Sequence, residues 1–155
     1  MSLAVSNKVK SIMSFDYGKK RHGVAMGQRI TQTANGITCI SAKDGKPNWD
    51  ELDKIVDEWK PDAFVVGLPL NMDGSESDMS KRANKFSKRL QGRYGKPSFT
   101  IDERLSTFAA KQHAKDLGHK GHYKSDPVDE IAAQLILQTW LEENPLNASD
   151  DRSVI

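Results

Sequence analysis

The feature that most constrains this chain is the run Ala63-Phe-Val-Val-Gly-Leu68, closed off by Pro61 before it and Pro69 after it. Six uncharged residues with no polar alternation are too few for a helix. They describe a strand buried on both faces, the kind found in parallel sheets. Parallel strands need crossover helices, and one precedes the run. Leu52, Ile55, Val56 and Trp59 recur at i, i+3, i+4 and i+7 behind Asn48-Trp-Asp-Glu51, which has capping-box spacing.

The same reading extends along the chain. Val9–Asp16, a strand from Gly23 to Met26, and Ile37–Ser41 form three short strands, with turns at Tyr17–Lys20 (where Gly18 is free to take positive φ) and at Asn35-Gly36. A second helix is expected from about Asp78 to Tyr94, with Met79, Ala83, Phe86 and Leu90 inward. Pro97–Ile101 gives a fifth strand, Ser106 caps a third helix, and Pro127 opens a last helix that Pro145 ends. The expected fold is α/β: a mixed five-stranded sheet, antiparallel meander plus parallel strands, with helices on both faces. With 155 residues the chain is one domain. Residues 10–143 are expected to form it, with a short N-terminal extension (1–9) and a flexible acidic tail (144–155).

Composition removes several function classes. A lone cysteine, Cys39, excludes a disulfide scaffold, a Cys-rich zinc site and a CxxC redox motif. No apolar run approaches the roughly 20 residues that span a bilayer. No signal peptide is evident, so a cytoplasmic protein is expected. His113, His119 and His122 match no compact zinc spacing, and Trp49, Trp59 and Trp140 fall where core packing is the expected role.

The net charge of +2 hides a basic centre: Met79–Lys124 holds 12 Lys or Arg against three acids, whereas Asp44–Asp62 holds seven acids against three lysines. On the second helix Lys81, Arg82, Lys85, Lys88, Arg89 and Arg93 occupy the faces left by the apolar stripe, and no acid lies between Lys81 and Lys96. Such a helix forgoes opposite-charge i,i+4 pairs, and contact with a phosphate backbone is a sufficient reason. A solubilising lysine face is the bland alternative.

Ligands of mixed sheets sit at the carboxyl ends of the parallel strands. Three acids fall there: Asp16 at the end of strand one, Glu103 beside Asp102 after strand five, and Asp129 in the first turn of the last helix. Converging carboxylates suit hard divalent cations and phosphodiester cleavage. Singly, each has a structural alternative: an Asx turn for Asp16, a helix-end charge for Asp129, an Arg104 partner for Glu103.

Four blocks carry a resemblance: Asp16-Tyr-Gly-Lys-Lys-Arg-His-Gly-Val-Ala25, Val66-Gly-Leu-Pro-Leu-Asn-Met-Asp-Gly74, Asp102-Glu-Arg-Leu-Ser-Thr107 and Val128-Asp-Glu-Ile-Ala-Ala133. In this order they resemble the YqgF family, also called RuvX, from about Lys10 to Leu141. The resemblance implies an RNase H-like fold and a cytoplasmic nuclease for the 5′ end of pre-16S ribosomal RNA, a family earlier described as Holliday junction resolvases. It implies Asp16, Glu103 and Asp129 as catalytic metal ligands for Mg²⁺ or Mn²⁺. Lys19, Lys20, Arg21 and Arg104, together with the basic helix, would contact nucleic acid.

Two positions depart from the family pattern. Pro127 stands where a basic residue is common, so a phosphate contact there is either lost or moved to Lys124. His22 replaces a common apolar residue, and is expected on the exposed face of an edge strand. Strand alternation lets only one of Asp102 and Glu103 face the metal. The expected partner is structured RNA or branched DNA, engaged by a monomer or weak homodimer. The rivals are DNA-junction cleavage, a non-catalytic RNA-binding assembly factor, and a phosphotransferase of related topology.

Overall fold

The computed structural model describes residues 5–103 and 127–146. The expected helix at Ser106, Arg104, the three histidines from His113 onward, and Lys124 lie outside them. The elements are β1 (Ser11–Asp16), β2 (Arg21–Gln28), β3 (Thr33–Lys43), β4 (Lys46–Pro47), α1 (Trp49–Trp59), β5 (Ala63–Leu68), α2 (Asp78–Tyr94), β6 (Ser98–Asp102) and α3 (Pro127–Glu143).

They build one mixed sheet in the order β4-β3-β2-β1-β5-β6. β1, β2, β3 and β4 are an antiparallel meander, while β5 and β6 run parallel to β1. The sheet therefore has six strands, one more than the sequence reading gave. The addition is the two-residue β4, turned back from β3 at Asp44-Gly45. Both turn residues have positive φ, 50° and 84°, the backbone that a tight hairpin needs and that Asp-Gly adopts readily.

Helices cover both faces. On one, Leu52 of α1 and Ala83, Phe86 and Leu90 of α2 pack on Met13, Phe15, Phe64 and Val66. On the other, Ala133, Ile136, Leu137, Trp140 and Leu141 of α3 pack on Ile12, Ala25, Ala63 and Val65. The two clusters draw on opposite faces of β1 and β5, which is why the apolar run lacks alternation. No helix among the described residues is long and apolar enough to cross a membrane.

Three local expectations change. Asn35-Gly36 is inside β3, not a turn; the β2–β3 connection turns at residues 29–32, with Gln32 at φ 52°. Gly36 is needed there because a Cβ would meet the Glu130 carbonyl at 2.9 Å, so α3 lies directly on the strand. Gly18 is not among the glycines with positive φ; a Cβ there would meet the Arg21 carbonyl at 2.6 Å. Trp59 is 43% exposed, unlike buried Trp140 and half-buried Trp49; it is the last residue of α1, which ends at Lys60 in the left-handed conformation.

Candidate active site

β1, β5 and β6 run parallel, so their carboxyl ends lie on one edge of the sheet. Asp16 is the last residue of β1 and pairs with Gly23 of β2. At the end of β6, Asp102 pairs with Leu68, and the Glu103 amide donates to the Leu68 carbonyl at 3.1 Å. That bond fixes the backbone at the point where alternation turns Glu103 inward. Glu103 is only 6% exposed, and its carboxyl is in hydrogen-bonding contact with that of Asp16.

Space for this pair comes from Gly67. A Cβ on that residue of β5 would stand 2.7 Å from Glu103 Oε2. Oε2 itself is buried without a hydrogen-bond partner. Burial, assisted by the nearby charge of Asp102, raises the Glu103 carboxyl to about 7 against the pull of its Asp16 contact. Of the two candidate acids at the end of β6, Glu103 is thus the one turned toward Asp16.

Asp129 comes from the other side. The first turn of α3 rests on Gly23, where a Cβ would overlap the Asp129 backbone carbonyl at 1.9 Å. Since Gly23 is the strand partner of Asp16, this contact brings Asp129 to the same sheet edge. Its carboxylate is held by Arg21 Nε at 2.6 Å. Among the described residues, no group of three or more His, Cys, Asp or Glu is close enough to hold a metal ion as the chain stands. Asp16 and Glu103 are together, while Asp129 is in an ion pair beside them.

His22 overturns its expected position. β2 is an inner strand between β1 and β3, and His22 is fully buried. Its ring stacks on Phe86 at 5.0 Å and lies 4.6 Å from Tyr17, and Nδ1 accepts the Gly18 amide at 3.2 Å. Nε2 faces the Gly45 backbone outside hydrogen-bond geometry. Burial lowers the imidazole to about 4, so it is neutral at physiological pH.

The basic residues divide into two sets. Lys19 and Lys20 are exposed in the β1–β2 turn, where their carbonyls accept the amides of Gly45 and Ala42 at 2.8 Å. On α2, Arg93 makes a bidentate pair with Asp53 at 2.9 and 2.7 Å, and its guanidinium lies 4.8 Å from the Trp49 ring centre. Arg82 pairs with Asp44 at 3.2 Å and Asp78 at 3.6 Å. An acid from α1 thus answers Arg93, and the hairpin acid Asp44 joins Asp78 of α2 itself in answering Arg82. Lys81, Lys85, Lys88 and Arg89 are exposed and make no ion pair among the described residues.

This architecture has counterparts among solved structures. T. thermophilus RuvC in complex with a Holliday junction substrate superposes with TM-score 0.52 at 12% identity, covering 86% of this chain and 94% of that one. The fowlpox virus Holliday junction resolvase gives 0.51 at 15% identity, covering 86% and 98%. The likeness defines the fold class: a mixed α/β sheet of the RNase H-like kind. The family model RuvX, described as Holliday junction resolvase, matches residues 10–143, and the chain belongs to that family. A relative in Saccharophagus degradans is 51% identical over 136 residues (88% of this chain, 96% of the relative) and is named "Putative pre-16S rRNA nuclease". One of the same name in Pseudomonas fluorescens SBW25 is 54% identical over 137 residues, covering 88% and 94%. Membership makes the chain a phosphodiester hydrolase.

Proposed function

We infer that this chain is a divalent-metal nuclease that processes the 5′ end of pre-16S ribosomal RNA. One observation carries the mechanism: the Asp16–Glu103 carboxyl pair at the sheet edge, with Glu103 Oε2 buried and without a hydrogen-bond partner. A buried carboxyl beside a second one, with an unsatisfied oxygen, fits a site whose charge is completed by a cation, since an all-oxygen donor set suits Mg²⁺ or Mn²⁺. Asp16 and Glu103 would hold it, joined by Asp129. Such a cation, when bound, supplies charge neutralisation at the scissile phosphate and a more acidic water.

The chain's own residues do the rest. Asp16 and Glu103 would present paired carboxylate oxygens. Arg21 balances Asp129 until a substrate phosphate draws the guanidinium off, which frees Asp129 to complete the ligand set. Lys19, Lys20 and Arg104 would steady the phosphate, and Lys81, Lys85, Lys88 and Arg89 would track the backbone in a salt-dependent way. Arg82 and Arg93, already paired with acids, would serve mainly to orient α2. The substrate follows the name shared by the relatives, and the cytoplasm is the matching compartment.

The test is cleavage of end-labelled precursor RNA and of a four-way DNA junction, side by side, with Mg²⁺, Mn²⁺ or chelator. The account expects metal-dependent cutting of the RNA at its 5′ extension. Paired nicks in the junction alone would move the assignment to a resolvase, acting as a dimer. Binding of RNA with no cutting in either metal would leave a non-catalytic assembly factor.

A further inference from the structure

On the sheet face opposite α3, Tyr17, Trp49 and Phe86 floor a cleft of about 240 Å³ beside the β3–β4 hairpin. Its rim carries Lys46, Lys85 and Arg89. The acid on that rim, Asp44, is already answered by Arg82 at 3.2 Å. Lys46, Lys85 and Arg89 make no ion pair among the described residues. Lys85 and Arg89 are i,i+4 on one helix, where like charges repel, and an anion between them reverses that cost. Behind the floor lies His22, fully buried and stacked on Phe86 beside Tyr17. An aromatic floor and a cationic rim describe a site for a ring that carries phosphate.

Position selects the ligand further. Tyr17 directly follows Asp16, so the cleft opens one residue from the carboxyl pair, across the edge of the sheet. A strand whose phosphate meets Asp16 and Glu103 passes this opening with a neighbouring nucleotide. Only an unpaired nucleotide presents a base to an apolar floor while its phosphates reach cations, because a duplex keeps its bases stacked inside. We propose that this cleft seats an unpaired nucleotide of the substrate strand next to the scissile phosphate, with Lys85, Arg89 and Lys46 on its phosphates. The assignment rests on the nuclease reading for the direction of the strand, and not for the cleft's chemistry.

The experiment is equilibrium binding by fluorescence anisotropy in chelator, so that nothing is cut. The probes are a labelled 12-nucleotide single strand (RNA and DNA arms), the same strand with three central abasic positions, and a 12-base-pair duplex. Unaltered protein is expected to bind the intact strand at least about 5-fold tighter than the abasic one. Replacing Lys85 and Arg89 by alanine is expected to weaken single-strand binding about 10-fold or more. It should also reduce the salt slope for the single strand by about 1.4, from two lost phosphate contacts. Duplex affinity should change no more than in a Lys8→Ala, Lys54→Ala control. Equal binding of intact and abasic strands by unaltered protein overturns the base seat, and equal losses for single strand and duplex overturn the cleft. Failure of the nuclease reading would show instead as absent cleavage with these binding differences intact.

Discussion

Burial acts on two side chains of this chain in opposite senses. It lifts the Glu103 carboxyl from 4.5 to about 7 and lowers the His22 imidazole from 6.5 to about 4. The folded state holds a proton on Glu103 that the unfolded chain has lost. That contribution to stability is complete below pH 4.5 and is lost as pH rises toward 7. The folded state keeps His22 neutral where the unfolded chain protonates it, so that contribution is complete above pH 6.5 and is lost as pH falls toward 4. Each is on the order of 3 kcal/mol across its window. Between 4.5 and 6.5 the two slopes oppose. Urea melts in chelator should therefore separate them. Glu103→Gln leaves stability rising with pH through that range, and His22→Gln leaves it falling. Identical profiles for both variants would contradict this assignment. The acids were legible in the sequence because strand ends can be found by pattern. His22 shares its strand face with Val24 and Met26 and is buried because β3 pairs along the far side of β2, which makes an inner strand of the expected edge. The choice between Asp102 and Glu103 needed the strand register, which pattern alone does not give.

At the scale of elements, glycines set how closely α3 lies on the meander. Gly23 and Gly36 have the Asp129 and Glu130 carbonyls where a Cβ would be, at 1.9 and 2.9 Å. Gly23→Ala should therefore cost about 1–3 kcal/mol and shift Asp129 from the sheet edge, lowering cleavage more than folding. Gly92→Ala, with nothing within 4 Å of the added carbon, should instead stabilise α2 by up to about 1 kcal/mol and leave cleavage unchanged. Thermal melts and initial rates on the two variants check both. If Gly23→Ala cleaves at the native rate, the first turn of α3 does not position the site. The helices were readable from apolar spacing and caps. The β3–β4 hairpin was not read, although Asp44-Gly45 signals it, because a two-residue strand has too few side chains to show a period. Apart from Asp78, which is i,i+4 to Arg82, the acids that answer Arg82 and Arg93 are Asp44 and Asp53, too distant in sequence for spacing to reveal.

At the scale of the molecule, Arg29 joins the two ends of the described chain. It is 3% exposed and donates to four backbone carbonyls: Ser6 at 2.8 Å and Val9, Asn144 and Pro145 at 3.0 Å. Its charge is distributed over carbonyl dipoles, and the Trp140 ring centre is 5.9 Å away. Arg29→Met should cost roughly 3 kcal/mol or more, which at this chain length lowers Tm by about 10 °C. Arg29→Lys should recover only part of it, because one ammonium lacks the planar fork that reaches both segments. An unchanged Tm in Arg29→Met would contradict the clasp. The layered α/β fold followed from one apolar run and its flanking helix. This clasp did not, because a buried arginine with carbonyl partners has no signature in composition.

The central claim is that the Asp16–Glu103 pair is the reacting centre. It is tested most directly by single-turnover cleavage of labelled precursor RNA with native protein, Asp16→Asn and Glu103→Gln in Mg²⁺, each variant first shown by thermal melt to be folded. The account predicts a loss of at least about 10³-fold in each variant, with a double variant no worse than either alone, as for residues that act as one unit. Cleavage by folded Asp16→Asn at the native rate would contradict it.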